Sequence, residues 1–213
     1  MIKILYESRS FVVVEKPEEL LSVPGTGPGK SDCVISRVKE SFPQATGPMT
    51  VHRLDLPTSG CMIVALTPDT QRTLSLQFER REVKKEYEAI LDGDVEPEVH
   101  GTYGRIELAT KVDWEQRPKQ MVHPEGKIGV TDWVVMRRMT DKTRVLFRPV
   151  TGRTHQIRVH ASHPDGGLGC PIVGDRFYGD AFLSPRLLLH SRMVEFMNPD
   201  TGTWLKVHSK VPF

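Results

Sequence analysis

Apolar positions along the chain fall mostly into short runs and alternations. Residues 2–5 and 11–14 predict two strands joined by a turn at 7–10, with Lys16-Pro17 ending the second. The run 61–66, rich in β-branched and aliphatic residues and bounded by Gly60 and Thr67, predicts a strand buried on both faces. Alternation over 85–91 puts Tyr87, Ala89 and Leu91 on one side of a strand, and 101–110 predicts another. Residues 131–136 and 144–147 flank a turn at 140–143 and predict a hairpin; 187–189 and 204–207 predict two closing strands. Helical spacing occurs in three places. Val34, Ile35, Val38 and Phe42 follow Ser31 as a candidate N-cap, and Pro43 stops that helix. Leu74 and Phe78 follow Thr67 as cap and Pro68 at the first helical position, fading near Arg80-Arg81. A short helix over 155–161 has Thr154 as its candidate cap. Strands outnumber helices and often succeed one another directly. The fold class is therefore α+β, a mixed and largely antiparallel sheet with flanking helices. No repeat, low-complexity tract or linker interrupts the pattern, so a single domain over 1–213 is expected.

Composition narrows the setting. With 38% hydrophobic and 26% charged residues, the 213-residue chain reads as globular. No apolar run approaches membrane-helix length, and the N-terminus lacks the apolar core of a signal peptide. Three scattered cysteines make no disulfide framework, so a cytoplasmic protein with reduced thiols and no membrane association is expected. Net charge is only +2, but it is unevenly spread. Residues 137–160 carry seven basic side chains (Arg137, Arg138, Lys142, Arg144, Arg148, Arg153, Arg158) against Asp141, while 86–98 carry six acids and no Lys or Arg. The basic block is either a phosphate-tracking surface or a solvated strand face.

Several chemistries are disfavoured by spacing. His155 and His160 are five apart rather than four, and the cysteines form no Cys-x-x-Cys pair, which argues against a metal site. Gly29-Lys30-Ser31 lacks the rest of a phosphate loop, no Gly-x-Gly-x-x-Gly follows a strand, and Ser59 precedes a strand instead of following one. What remains is a polar loop, residues 51–60, that feeds the buried strand and carries Asp55, the only Asp between Asp32 and Asp69. A loop rooted in a rigid strand suits a catalytic carboxylate, although an Asp beside Pro and Gly also serves as a simple turn cap.

Read together, several segments carry more information than any one of them. His52-Arg53-Leu54-Asp55-x-x-Thr58-Ser59-Gly60, Lys85-x-Tyr87, Arg117-Pro118-Lys119-Gln120, Gly152-Arg153-Thr154-His155-Gln156-Ile157-Arg158-Val159-His160, Gly174-Asp175-x-x-Tyr178-Gly179 and Arg186-Leu187-Leu188-Leu189-His190 occur in this order. With Lys16-Pro17 and 20–25 upstream, the chain resembles the RluA-type family of RNA pseudouridine synthases, in its short form without an N-terminal S4-like RNA-binding domain. It departs from the family pattern at Glu18-Glu19, where a small residue and Gly are usual, and in a longer segment around 162–167.

The resemblance implies isomerisation of uridine in a structured RNA, an rRNA or tRNA stem-loop, by a monomer that needs no cofactor and no metal. It assigns Asp55 as the carboxylate that attacks C1′ or takes the C2′ proton. Arg158 is implied as its charge partner and Tyr87 as the ring against the uracil, with Ile157 on the other face of the base. The uridine must leave its stack to react, and Arg53 matches the family's intercalating Arg. Two residues before Asp55, it shares a face with it if the loop is extended. Arg153, His155, Arg117 and Lys119 are the remaining RNA-binding candidates, and His52 is read as fixing the loop. Two alternatives stand beside this reading. An inactive RNA-binding module of the same fold is disfavoured by the presence of Asp55, Tyr87 and Arg158, and a metal-dependent hydrolase by the His and Cys spacing.

Overall fold

The structure, a computed structural model, describes residues 2–96 and 101–213. Glu98, the last acid of the 86–98 run, lies outside the described residues. The architecture is α+β, with mostly antiparallel strands and flanking helices. The chain packs as two compact units, Met1–Lys85 with His190–Pro212 and Glu86–Leu189 with Phe213.

The first unit is built on β1 (Lys3–Glu7), β2 (Phe11–Lys16) and β3 (Ser59–Ala65), in which β2 runs antiparallel between β1 and β3. All seven residues of β3 are buried, as expected of an apolar run with no polar alternation. Helix α1 (Val34–Ser41) buries Val34 and Val38. Its N-cap is Cys33 rather than Ser31: the Cys33 Sγ accepts from the Ser36 N–H at 3.3 Å and the Ser36 Oγ accepts from the Cys33 N–H at 2.9 Å. The reciprocal pair satisfies two donors at once, which a cap two residues earlier could not do. Helix α2 (Pro68–Glu79) starts where expected, with the Thr67 hydroxyl accepting from the Thr70 N–H. The unit's core gathers Phe11, Val13, Cys61, Ile63, Leu74, Val194 and Phe196.

In the second unit β4 (Lys84–Asp92) pairs with β8 (Lys142–Pro149), β8 with β7 (Lys127–Met139), and β7 with β5 (Tyr103–Val112), all antiparallel. A short β6 (Gln120–Val122), absent from the sequence reading, extends β5. Helix α3 (Gln156–Ser162) lies against the core, which includes Ala89, Leu91, Trp133, Val145, Phe147, Ile157 and Ala161. Its N-cap is His155 in the left-handed conformation (φ 54°), with no side-chain cap bond, so Thr154 does not cap it. The final strands, β9 (Leu189–Met197) and β10 (Trp204–His208), pair antiparallel. Strand β9 is far longer than the 187–189 stretch expected, because its polar residues interrupt the apolar pattern while finding buried partners elsewhere in the chain.

The basic block is in large part a solvated strand face: Arg137, Arg138 and Arg148 are exposed on β7 and β8. Part of its charge is paired with the acidic run. Across β4 and β8 Arg144 pairs with Glu88 and Arg148 with Glu86 at 2.9 Å, and Arg138 of β7 pairs with Asp94 at 3.3 Å.

Two imidazoles, one buried and one half-buried, set an acid limit on stability. His160 is fully buried, and among the described residues neither of its ring nitrogens has a hydrogen-bond partner. Burial pushes it down to about 4. His52 is pushed down to about 3 by burial and then by the Lys85 charge, and its Nε2 accepts from the Ile63 N–H at 2.9 Å, a bond that protonation breaks. Both folded values lie below the unfolded one, so the unfolded chain takes up protons that the folded chain refuses as pH falls below about 6.5. Stability is then expected to fall progressively from about pH 6.5 toward pH 4, by about 3 kcal/mol from His160 alone. Thermal unfolding at pH 7.5 and 4.5 checks this, and an unchanged midpoint contradicts it.

Candidate active site

The loop that carries Asp55 is held at both neighbours of that residue. Ser22 brackets Leu54: its hydroxyl donates to the Leu54 carbonyl at 2.7 Å and accepts from the Leu54 N–H at 3.0 Å. On the other side, Lys16 donates to the Leu56 carbonyl at 2.8 Å, and also to those of Leu20 at 2.6 Å and Pro17 at 2.9 Å. The Thr58 N–H closes the turn onto the Asp55 carbonyl at 3.0 Å. Leu54 is buried as an apolar peg, Asp55 is half-buried, and Arg53 is exposed. This is a carboxylate on a fixed backbone.

Lys16 is wholly buried, which a Lys at a strand end does not announce. Burial pushes its ammonium down to about 7, against the charges of Asp55, Glu19 and Glu18, which favour protonation. The three carbonyl acceptors match the three N–H bonds of the ammonium, and a neutral amine has only two.

Beneath the loop, β3 starts against β9 in parallel pairing, Ser59 opposite His190 and Gly60 opposite Ser191. Gly60 has φ 114°, and a Cβ there would lie 2.2 Å from the Ser191 carbonyl oxygen, so the approach requires glycine. A buried polar chain runs through this junction. Ser59 Oγ lies 2.8 Å from His190 Nδ1, His190 Nε2 lies 2.9 Å from Ser209 Oγ, and Ser209 donates to Glu15 at 2.6 Å. His52 stacks on Phe78 with centroids 4.6 Å apart, in addition to accepting from Ile63.

In the second unit the centre is Arg158. It is 2% exposed and forks onto the fully buried Asp175, with Nε and Nη2 each donating at 2.7 Å. Asp175 Oδ1 also accepts from the N–H groups of Phe177 and Tyr178. The Arg158 guanidinium lies 5.4 Å and 5.2 Å from the centroids of those two rings. Asp175 is fixed in turn by a tight turn: Gly174 has φ 77°, and a Cβ there would meet the Arg186 carbonyl oxygen at 2.1 Å. The Tyr178 hydroxyl lies 2.8 Å from His155 Nδ1 and accepts from the Gln120 N–H at 2.7 Å. Tyr87 is half-buried and packs on the same apolar cluster that contains Ile157. Arg117 and Arg153 are exposed and Lys119 is half-buried. His155, in contrast, is buried inside the Tyr178 and Phe177 cluster.

Within the first unit the structure thus brings together Asp55 and Lys16, with Arg53 exposed on the same loop; within the second it brings together Arg158, Asp175, His155 and Tyr178. Asp175 and Tyr178 were visible only as part of the Gly-Asp-x-x-Tyr-Gly segment, with no role assigned. Their signal was an acid and an aromatic following a glycine in an irregular stretch.

Comparison with known proteins defines the class. The model of the RNA pseudouridylate synthase family matches residues 10–163, and the chain belongs to that family. It is an RNA pseudouridine synthase, an isomerase. It is 41% identical over 215 residues to the dual-specificity RNA pseudouridine synthase RluA of Escherichia coli K12, spanning 99% of this chain and 93% of that protein. RluA of Haemophilus influenzae is 41% identical over 217 residues, covering 100% and 94%. Among solved structures, human RNA pseudouridylate synthase domain containing 1 superposes with a TM-score of 0.79 at 28% identity, over 100% of this chain and 84% of that one.

Proposed function

We propose that the chain acts as a single catalytic domain, a cytoplasmic monomer, on a uridine in the loop of an rRNA or tRNA hairpin. The observation that carries the substrate class is the near full-length match to relatives named as dual-specificity RNA pseudouridine synthases. In this reading the Asp55 carboxylate acts on the ribose, as nucleophile at C1′ or as base on the C2′ proton. The N1–C1′ bond breaks with its electron pair left on the uracil, the uracil turns, and C5 bonds to C1′ as the bond to Asp55 breaks or the C2′ proton returns; the C5 proton leaves to solvent or to a nearby base, and N1 takes up a proton from solvent. Tyr87 and Ile157 lie against the uracil, and Arg158 supplies a buried positive charge. Arg53 fills the gap left by the flipped nucleotide. Arg117, Lys119 and Arg153 hold the RNA, while His155, expected from the sequence to join them, is buried against Tyr178 and Phe177 and acts by positioning Tyr178. The rigid backbone on either side of Asp55 supports its role, because a catalytic carboxylate gains from fixed aim.

The test is steady-state kinetics of pseudouridine formation on an isolated hairpin against its full-length parent RNA. With a net charge of only +2 and Arg138, Arg144 and Arg148 paired to acids, few phosphate contacts are expected and the hairpin should be a full substrate. A drop in kcat/KM of about a hundredfold on the hairpin, about 2.7 kcal/mol of transition-state stabilisation, contradicts the proposal.

A further inference from the structure

The loop between β5 and β6 displays a tryptophan that no part of the fold uses. Trp114 is 68% exposed, although a ring of this size is among the most rewarding to bury. The Arg117 guanidinium covers one face, 3.7 Å from the ring centroid. A ring covered on one face and still largely exposed presents its other face to solvent. The loop beneath is well ordered by its own bonds. Asp113 turns its carboxylate onto the N–H groups of Glu115 and Gln116, and its own N–H donates to the Lys119 carbonyl at 2.9 Å. The loop's end is tied to the Arg158 segment: the Gln120 N–H donates to Tyr178, whose hydroxyl meets His155, three residues before Arg158. Lys119 sits over the Tyr178 ring at 5.9 Å.

We infer that Trp114, backed by Arg117, is a stacking platform for an unpaired nucleobase of the substrate RNA next to the target uridine. Flipping a uridine strips its neighbours of a stacking partner, and a flat ring backed by a guanidinium replaces that partner without reading sequence. The proposal rests on the pseudouridine synthase reading for its ligand class, and charge favours RNA: Arg117 covers one face of the ring, Lys119 follows in the same loop over Tyr178, and Asp113 is occupied by the main chain.

The test measures binding without turnover, so that it stands apart from the reaction. The full chain is titrated with a hairpin RNA bearing an open loop and with the blunt duplex of its stem. Trp114→Ala is expected to weaken hairpin binding by about tenfold or more, within the range of one base–aromatic stack, and to leave duplex binding within about twofold. Trp114→Phe keeps a ring and should retain most of the affinity. In kinetics, Trp114→Ala should raise KM more than it lowers kcat. In a Trp204→Phe background, whose remaining Trp133 is buried, hairpin addition should quench the emission of Trp114. Hairpin affinity within twofold of wild type, or equal losses on hairpin and duplex, overturns the platform. Loss of hairpin binding in a protein that converts no uridine would leave the platform standing and sink the reaction instead.

Discussion

Asp55→Asn is expected to reduce pseudouridine formation by at least about a thousandfold while changing RNA affinity less than about threefold, since the substitution removes a nucleophile or general base and keeps the size of the side chain. The anchors explain why the two effects separate. Ser22 grips the main chain of Leu54, Lys16 the carbonyl of Leu56, and Thr58 the carbonyl of Asp55 itself. None of these bonds uses the Asp55 side chain, so an Asn inherits the same backbone and nearly the same volume. Single-turnover assays on a hairpin, paired with binding isotherms, read both quantities. Turnover within tenfold of wild type removes Asp55 from the chemistry, and a matching loss of affinity would make it an RNA-binding residue.

The same anchors show what could and could not be read from the sequence. The Asp55 loop was legible because its cause is local: Pro57 and Gly60 make the turn, and the apolar run after it makes the strand. The start of α2 was legible for the same reason, since Thr67 and Pro68 act within one helical turn. The Cys33 cap was not, because Cys is a rare cap and its partner Ser36 makes it one. Lys16 was not, because its three carbonyl acceptors come from segments up to 40 residues away. Polar residues in β9 read as an end of strand, while His190 and Ser191 are in fact buried against β3. The pairing of the charge runs was hidden for a related reason: it exists only once the strand register sets the opposite run beside the first. Apart from the Cys33 cap, whose partner is three residues away, the deciding partner in each case was distant in sequence.

Asp175 is the clearest such partner, and breaking its pair should be costly. Arg158 and Asp175 are 2% and 0% exposed and share two bonds of 2.7 Å. Removing one member of a buried ion pair strands the other charge away from water, which typically costs about 3–5 kcal/mol. Asp175→Asn keeps the shape and can still accept the Phe177 and Tyr178 N–H bonds through its carbonyl oxygen, so its loss comes from the missing charge and from an amide NH2 turned against the Arg158 Nε–H. The expected result is a stability loss of about 3 kcal/mol or more by denaturant unfolding. Activity should fall with it, since the guanidinium loses the fork that sets its plane. Arg158→Met should cost a similar amount, because it leaves the Asp175 carboxylate buried without its countercharge. The double variant separates a specific pair from two unrelated losses. If the charges serve each other, Arg158→Met with Asp175→Asn removes both ends of the fork at once, and the combined loss should fall short of the sum by about 2 kcal/mol. Strict additivity would mean that each residue is held chiefly by other neighbours, and the fork would then be a consequence of the packing around it.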